Sequence, residues 1–234
     1  MNSIYKILLD YISYAVNVGL ASAWVYRSLR GSFRHRLVRN FYGAQRILIY
    51  LPLREQPERR MMIADEDFLA ALDLSNFLRS YGIKLQLRRI PPTGAFDFEA
   101  HSIIICGPKT CEAVRDLYLA DPSYRLEQHN GRWEIRDCMT GNYLISPMDQ
   151  ASPENKDLAY LARADVGGGK ALLLGGIHAA GSYGAIRFLT NYSQVRKLFK
   201  EVGKRKFSAV LTTSFNAKTM NIISADIHLA IRTH

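Results

Sequence analysis

ALLLGGIHAAGSYGAIRFLT, residues 171–190, is an apolar run that passes through two glycines into a helical pattern. Four consecutive apolar residues are what a strand covered on both faces looks like, and the predicted helix begins at Gly181. SIIICGP (102–108) is a second strand of the same kind, with KTCEAVRDLYL (109–119) read as a helix starting directly after Gly107-Pro108. RILIYLPL (46–53) is a third, ended by Pro52. The helix that follows, ADEDFLAALDLSNFLRSYG (64–82), carries Asp65, Glu66 and Asp67 in its first turn and stops at Gly82. KLQLRRI (84–90) is a further strand, and PPTGAFDFE is a loop.

This alternation argues an α/β fold, a Rossmann-like, mostly parallel sheet with helices on both faces. Residues 124–147 break the pattern. YRLEQ, RWEIRD and NYLIS are short strands separated by Asn-Gly and Gly-Asn turns, so they form an antiparallel meander, either inserted into the sheet or lying at its edge. QASPENK is a loop, DLAYLARA another strand and VGGGK a turn. SQVRKLFKEVG continues the last helix, and KFSAVLTTSFN and MNIISADIHLAI are closing strands.

A chain of 234 residues with 48% apolar and 22% charged residues buries a core without disulfides or metal, and is neither disordered nor collagen-like. Three cysteines make no disulfide framework; they fit a reducing, cytoplasmic compartment. Lysine and arginine number 31 against 21 acids, a net charge of +10. Half of that excess sits in the first forty residues, where Lys6, Arg27, Arg30, Arg34, Arg36 and Arg39 face Asp10 alone.

Those residues divide the chain into an apolar and basic helical segment, 1–43, and an α/β ligand-binding domain, 44–234. YISYAVNVGLASAWVY, from Tyr11 to Tyr26, has no charge and repeats its apolar residues at helical spacing. Sixteen residues fall short of the about 20 that a transmembrane span needs unless the span starts before Asp10, in which case the arginines place residues 27–234 in the cytoplasm. The arginines follow the apolar run, which rejects a signal peptide. Three readings remain: a helix packed on a partner or a second copy, a helix on the inner face of a membrane, and a nucleic-acid contact. The last is the weakest, since no helix-turn-helix or zinc-finger pattern accompanies the charge.

Ligands of open α/β sheets bind beyond the carboxyl ends of the parallel strands. Two such ends carry the candidate residues: Gly107, Lys109 and Thr110 after one strand, and Gly175, Gly176, His178, Gly181 and Ser182 after another. Glycines at a strand-to-helix turn let an anion approach free N–H groups, although tight packing alone also explains them. Lys109 at a helix start opposes the helix dipole, which suits a phosphate contact. Cys111 in a first helical turn, with His178 as base, is a candidate nucleophile or else a small buried residue. Glu112 is the acid nearest the expected ligand. Cys106, Cys111, Cys138 and six scattered histidines have no metal-site spacing, and no cofactor is expected.

ICGPKT and LLLGGIHAAGSYGAIRF resemble the Rossmann-like nucleotide-sensing domains of bacterial conflict and signalling systems, above all the SLOG superfamily and more distantly Toll/interleukin-receptor-like domains. The resemblance covers at most residues 44–200. It implies a nucleotide or other phosphorylated ligand held by Gly175, Gly176, Gly181 and Ser182. The hydrolytic members carry a glutamate shortly after the glycines, where this chain has Ala185, Ile186 and Arg187. That departure favours sensing over hydrolysis, and leaves a nucleotide-processing hydrolase or NAD glycohydrolase-like enzyme as the alternative.

Overall fold

The computed structural model describes residues 2–55, 61–93 and 95–234. A 41-residue helix, α1 (Asn2–Tyr42), leads into β1 (Arg46–Pro52), the short strands β2 (Arg54–Glu55) and β3 (Met61–Met62), α2 (Asp65–Ser80), β4 (Lys84–Ile90) and β5 (Ser102–Ile105). Then come α3 (Arg115–Leu119) and a separate meander, β6 (Tyr124–His129), β7 (Arg132–Asp137) and β8 (Tyr143–Leu144). β9 (Lys156–Val166) and β10 (Gly169–Gly176) form a long hairpin, followed by α4 (Ala179–Leu189), α5 (Tyr192–Val202), β11 (Phe207–Phe215), β12 (Ile222–Ile227) and β13 (Arg232–Thr233).

The eight-stranded sheet runs β12-β11-β9-β10-β5-β1-β4, with β13 also paired to β11. β4, β1, β5 and β10 are parallel neighbours, so the three apolar runs read as buried strands lie side by side. The other half is antiparallel, because β9 reverses onto β10 through Gly167-Gly168, both at positive φ as a two-residue hairpin turn requires. β9 thereby becomes a central strand of a mixed sheet.

Successive strand residues face opposite ways, and both faces are covered, which is why the runs are apolar throughout. Ile47, Ile49, Ile103, Ile105, Leu172 and Leu174 pack under α2, α4, α5 and the end of α1. Leu48, Tyr50, Ile104, Cys106 and Leu173 pack under Tyr118 of α3 and Tyr124, Leu126 and Ile135 of the meander. The second face is thus roofed chiefly by the meander. The helix expected over 109–119 starts late: a turn closes from Gly107 to Thr110, Cys111 is extended, and a 3-10 turn (Glu112–Val114) then leads directly into the five residues of α3. Burial of Cys111 in the Cys106 core keeps residues 109–111 out of that helix. No helix among the described residues is long and apolar enough to cross a membrane.

Two arginines fix the outer pieces. Arg163 of β9 is buried, and donates to Phe41 O at 2.7 Å, Gly203 O at 2.8 Å and Arg205 O at 3.2 Å, with the Phe41 and Phe207 rings 4.7 and 5.3 Å away. Phe41 and Gly203 lie at the carboxyl ends of α1 and α5, where dipole and unpaired carbonyls favour a cation. Val38 and Phe41 join the core of the body, so the last turns of α1 pack with residues 44–234. Arg232 of β13 clamps the meander by a bidentate pair to Asp137 at 2.6 and 2.8 Å.

Arg163→Met should cost about 2–4 kcal/mol in denaturant unfolding, because removing the donor strands buried carbonyls. Hydrogen bonds from Arg232, aided by the Met139 and Thr140 N–H groups, pull Asp137 from 3.8 down to about 2. The folded state therefore binds fewer protons between those values. The contribution is present above about pH 4 and lost as pH falls toward 2. Acid titration of stability should be shallower in that window for Arg232→Gln; an unchanged slope would exclude the pair as its source.

Candidate functional site

Beyond the carboxyl ends of β5 and β10 lies a cleft of about 430 Å³ lined by Lys109, Gly131, Arg132, Trp133, Asp149, Ile177 and His178. Three backbone features build it. The Gly107–Thr110 turn exposes Lys109, the Asn130-Gly131 hairpin tip carries Arg132 and Trp133 over the sheet end, and the 3-10 turn Pro147–Asp149 supplies the far wall. His178 Nε2 lies 2.9 Å from Asp149 Oδ2. Lys109 and Arg132 have no carboxylate partner among the described residues.

Of the eight residues expected from sequence, Lys109 and His178 line this cleft. Lys109 is not at a helix start, since extended Cys111 separates it from the nearest helical turn; the conflict with a helix dipole disappears. Gly107, Thr110, Gly175, Gly176, Gly181 and Ser182 serve the turns beneath. Thr110 N–H closes onto Gly107 O, and Ser182 Oγ accepts from Gly176 N–H at 2.8 Å. A Cβ on Gly175 would sit 2.6 Å from the Tyr118 hydroxyl and 3.0 Å from Gly107 Cα, so these two glycines let the meander side close down on the strand ends.

The start of α4 already holds an anion, and it belongs to the chain. α4 begins at Ala179, two residues before the expected Gly181, with His178 as its cap residue. The buried Asp157 carboxylate accepts from Gly181 N–H at 2.6 Å and His178 N–H at 3.0 Å, and its other oxygen accepts from Ser146 Oγ and Leu158 N–H, both at 2.8 Å. Burial raises the Asp157 pKa, while the Ser146 hydroxyl, the His178 side chain and the Gly181 and Leu158 N–H groups oppose the rise. Two of the N–H groups expected to face a phosphate, those of His178 and Gly181, are therefore engaged by Asp157. Gly181 is glycine for closeness: a Cβ would stand 2.4 Å from Leu158 O.

Cys111 is buried beside Cys106, its thiol bonded to Pro91 O, and it does not line the cleft that holds His178, so the expected nucleophile–base pair has no contact to support it. A hydrogen bond with Cys106, then the Ala113 and Val114 N–H groups, lower its pKa to about 7 against the opposing effect of burial. The cause is thus a neighbouring thiol more than a helical turn. Glu112 is exposed and outside the cleft. No group of three or more His, Cys, Asp or Glu among the described residues is placed to hold a metal. Sequence reasoning missed Arg132 and Trp133, whose place depends on the meander folding back over the strand ends. It also missed Asp157, for which one signal existed: a lone acid opening the apolar run DLAYLA.

Asp157→Ala should lower stability by about 2–4 kcal/mol, since four buried donors lose their acceptor. Gly181→Ala should cost about 1–3 kcal/mol through overpacking. Guanidinium denaturation of both variants checks this.

Comparison with family models, with curated proteins and with solved structures returns no match for the chain.

Proposed function

We propose that this cleft binds a nucleotide-like phosphorylated ligand and that the protein senses it, in the manner of the SLOG-like signalling and defence domains its sequence resembles. One observation carries the reading: two cations without carboxylate partners, Lys109 and Arg132, and one indole, Trp133, line a single cleft at the carboxyl ends of parallel strands. Lysine and arginine suit phosphate oxygens, and an indole face suits a base. The ligand lies against Lys109 and Arg132 and not on the amino end of α4, where Asp157 sits. The proposal keeps the protein in a reducing, cytoplasmic compartment.

A second reading, a nucleotide-processing hydrolase, rests on the His178–Asp149 pair, an imidazole oriented by a carboxylate as a general base requires. The two readings part in one experiment. A thermal-shift screen of mono-, di- and cyclic nucleotides and NAD identifies the stabilising compound, since a ligand of the native state raises apparent stability. Unchanged compound after incubation supports the sensor, and conversion that is lost in His178→Ala supports the enzyme.

By calorimetry with that compound, Lys109→Ala should weaken binding roughly ten- to a hundredfold, the worth of a charge-assisted contact. Trp133→Ala should weaken it about five- to a hundredfold, the range for loss of one base stack. Retained affinity in both variants overturns the site.

A further inference from the structure

The described part of α1 from Tyr14 to Phe33 projects beyond the body and is exposed almost throughout. Tyr14, Trp24 and Phe33 are 71%, 72% and 69% exposed. These large apolar side chains do not share one stripe. Val16, Leu20 and Trp24 follow one another at four-residue spacing along one side, while Val18, Val25 and Leu29 lie on the opposite side. A partner helix covers one stripe of such a surface and leaves the other in water; hydrocarbon covers both.

The root of this helix has matching chemistry. Between α1 and α5 runs a groove of about 730 Å³ lined by Leu29, Phe33 and Phe199 along with Arg30, Arg34, Arg36 and Arg196. From Tyr11 to Arg54 the sequence contains no acid, and among the described residues none of these four arginines pairs with a carboxylate. Arg34 instead stacks over Tyr192 at 4.9 Å. Apolar side chains beside unpaired guanidinium groups fit acyl chains beside phosphates. Trp24 and Tyr26, at the junction of the uncharged run and the arginines, are the residue types that sit at the level of lipid headgroups. The uncharged run of sixteen residues measures about 24 Å as a helix, enough to enter a bilayer and less than its roughly 30 Å hydrocarbon core.

We infer that the projecting part of α1 docks into an anionic lipid surface, with the groove at its root seating lipid phosphates on Arg30, Arg34, Arg36 and Arg196. A second copy of the chain is the competing occupant. The full chain, mixed with vesicles of phosphatidylcholine plus phosphatidylserine, should sediment with them, should stay in solution with phosphatidylcholine alone, and should be released by salt. Arg30→Ala, Arg36→Ala and Arg196→Ala together should weaken vesicle binding roughly a hundredfold, about fivefold for each arginine. Leu20→Glu with Trp24→Glu should abolish it. All five side chains are exposed, so every variant should keep the wild-type thermal transition. Failure to sediment, or equal binding to both vesicle types, overturns the inference. So does sedimentation equilibrium showing self-association lost in the Leu20→Glu, Trp24→Glu variant without vesicle binding.

Discussion

The guanidinium of Arg163 is a buried charge with no carboxylate partner among the described residues, and much of the arrangement on one face of the sheet answers to it. Leaving a cation unsolvated in a core is costly, and the chain compensates with the negative ends of helices. The carbonyls that close α1 and α5 converge on one side chain of β9, and two phenylalanine rings cover what remains. Burial still lowers its pKa to about 10, so the compensation is incomplete. The result is positional. The ends of α1 and α5 are drawn to the same point of the sheet, which creates the groove between them and aims the rest of α1 away from the body.

Asp157 is the counterpart at the other end of the same strand. It lies six positions before Arg163, about 20 Å of extended chain. The carboxylate, with all four of its hydrogen-bond directions used, fastens the start of α4 and the Ser146 loop to β9. One strand thus carries an internal cation for helix ends and an internal anion for a helix start. Filling the helix start from within leaves the exposed cations of this end of the sheet, Lys109 and Arg132, on the segments around it.

The three inner parallel strands were legible because a strand roofed on both sides must be apolar along its covered length, and 47–51, 103–105 and 171–174 each obey that constraint. The centre of the antiparallel half was harder to see in context, since β9 mixes Asp157 and Arg163 into its apolar run. Nothing local reveals that their partners lie in distant loops and helix ends. The cleft was half legible. Strand ends locate Lys109 and His178. The hairpin that brings Arg132 and Trp133 reads equally well as a plain edge meander. Glycines misled most: at Gly175 and Gly181 the need was for room between packed backbones, a requirement that looks the same in sequence as a phosphate loop.

The tether between the meander and β13 spans ninety-five residues of chain. During synthesis the meander is complete long before Arg232 leaves the ribosome, and until then Asp137 has no cation to hold it and the hairpin carrying Trp133 lacks its anchor. The wall of the cleft that Trp133 supplies is therefore completed late, once β13 has been laid beside β11 and Arg232 has reached Asp137.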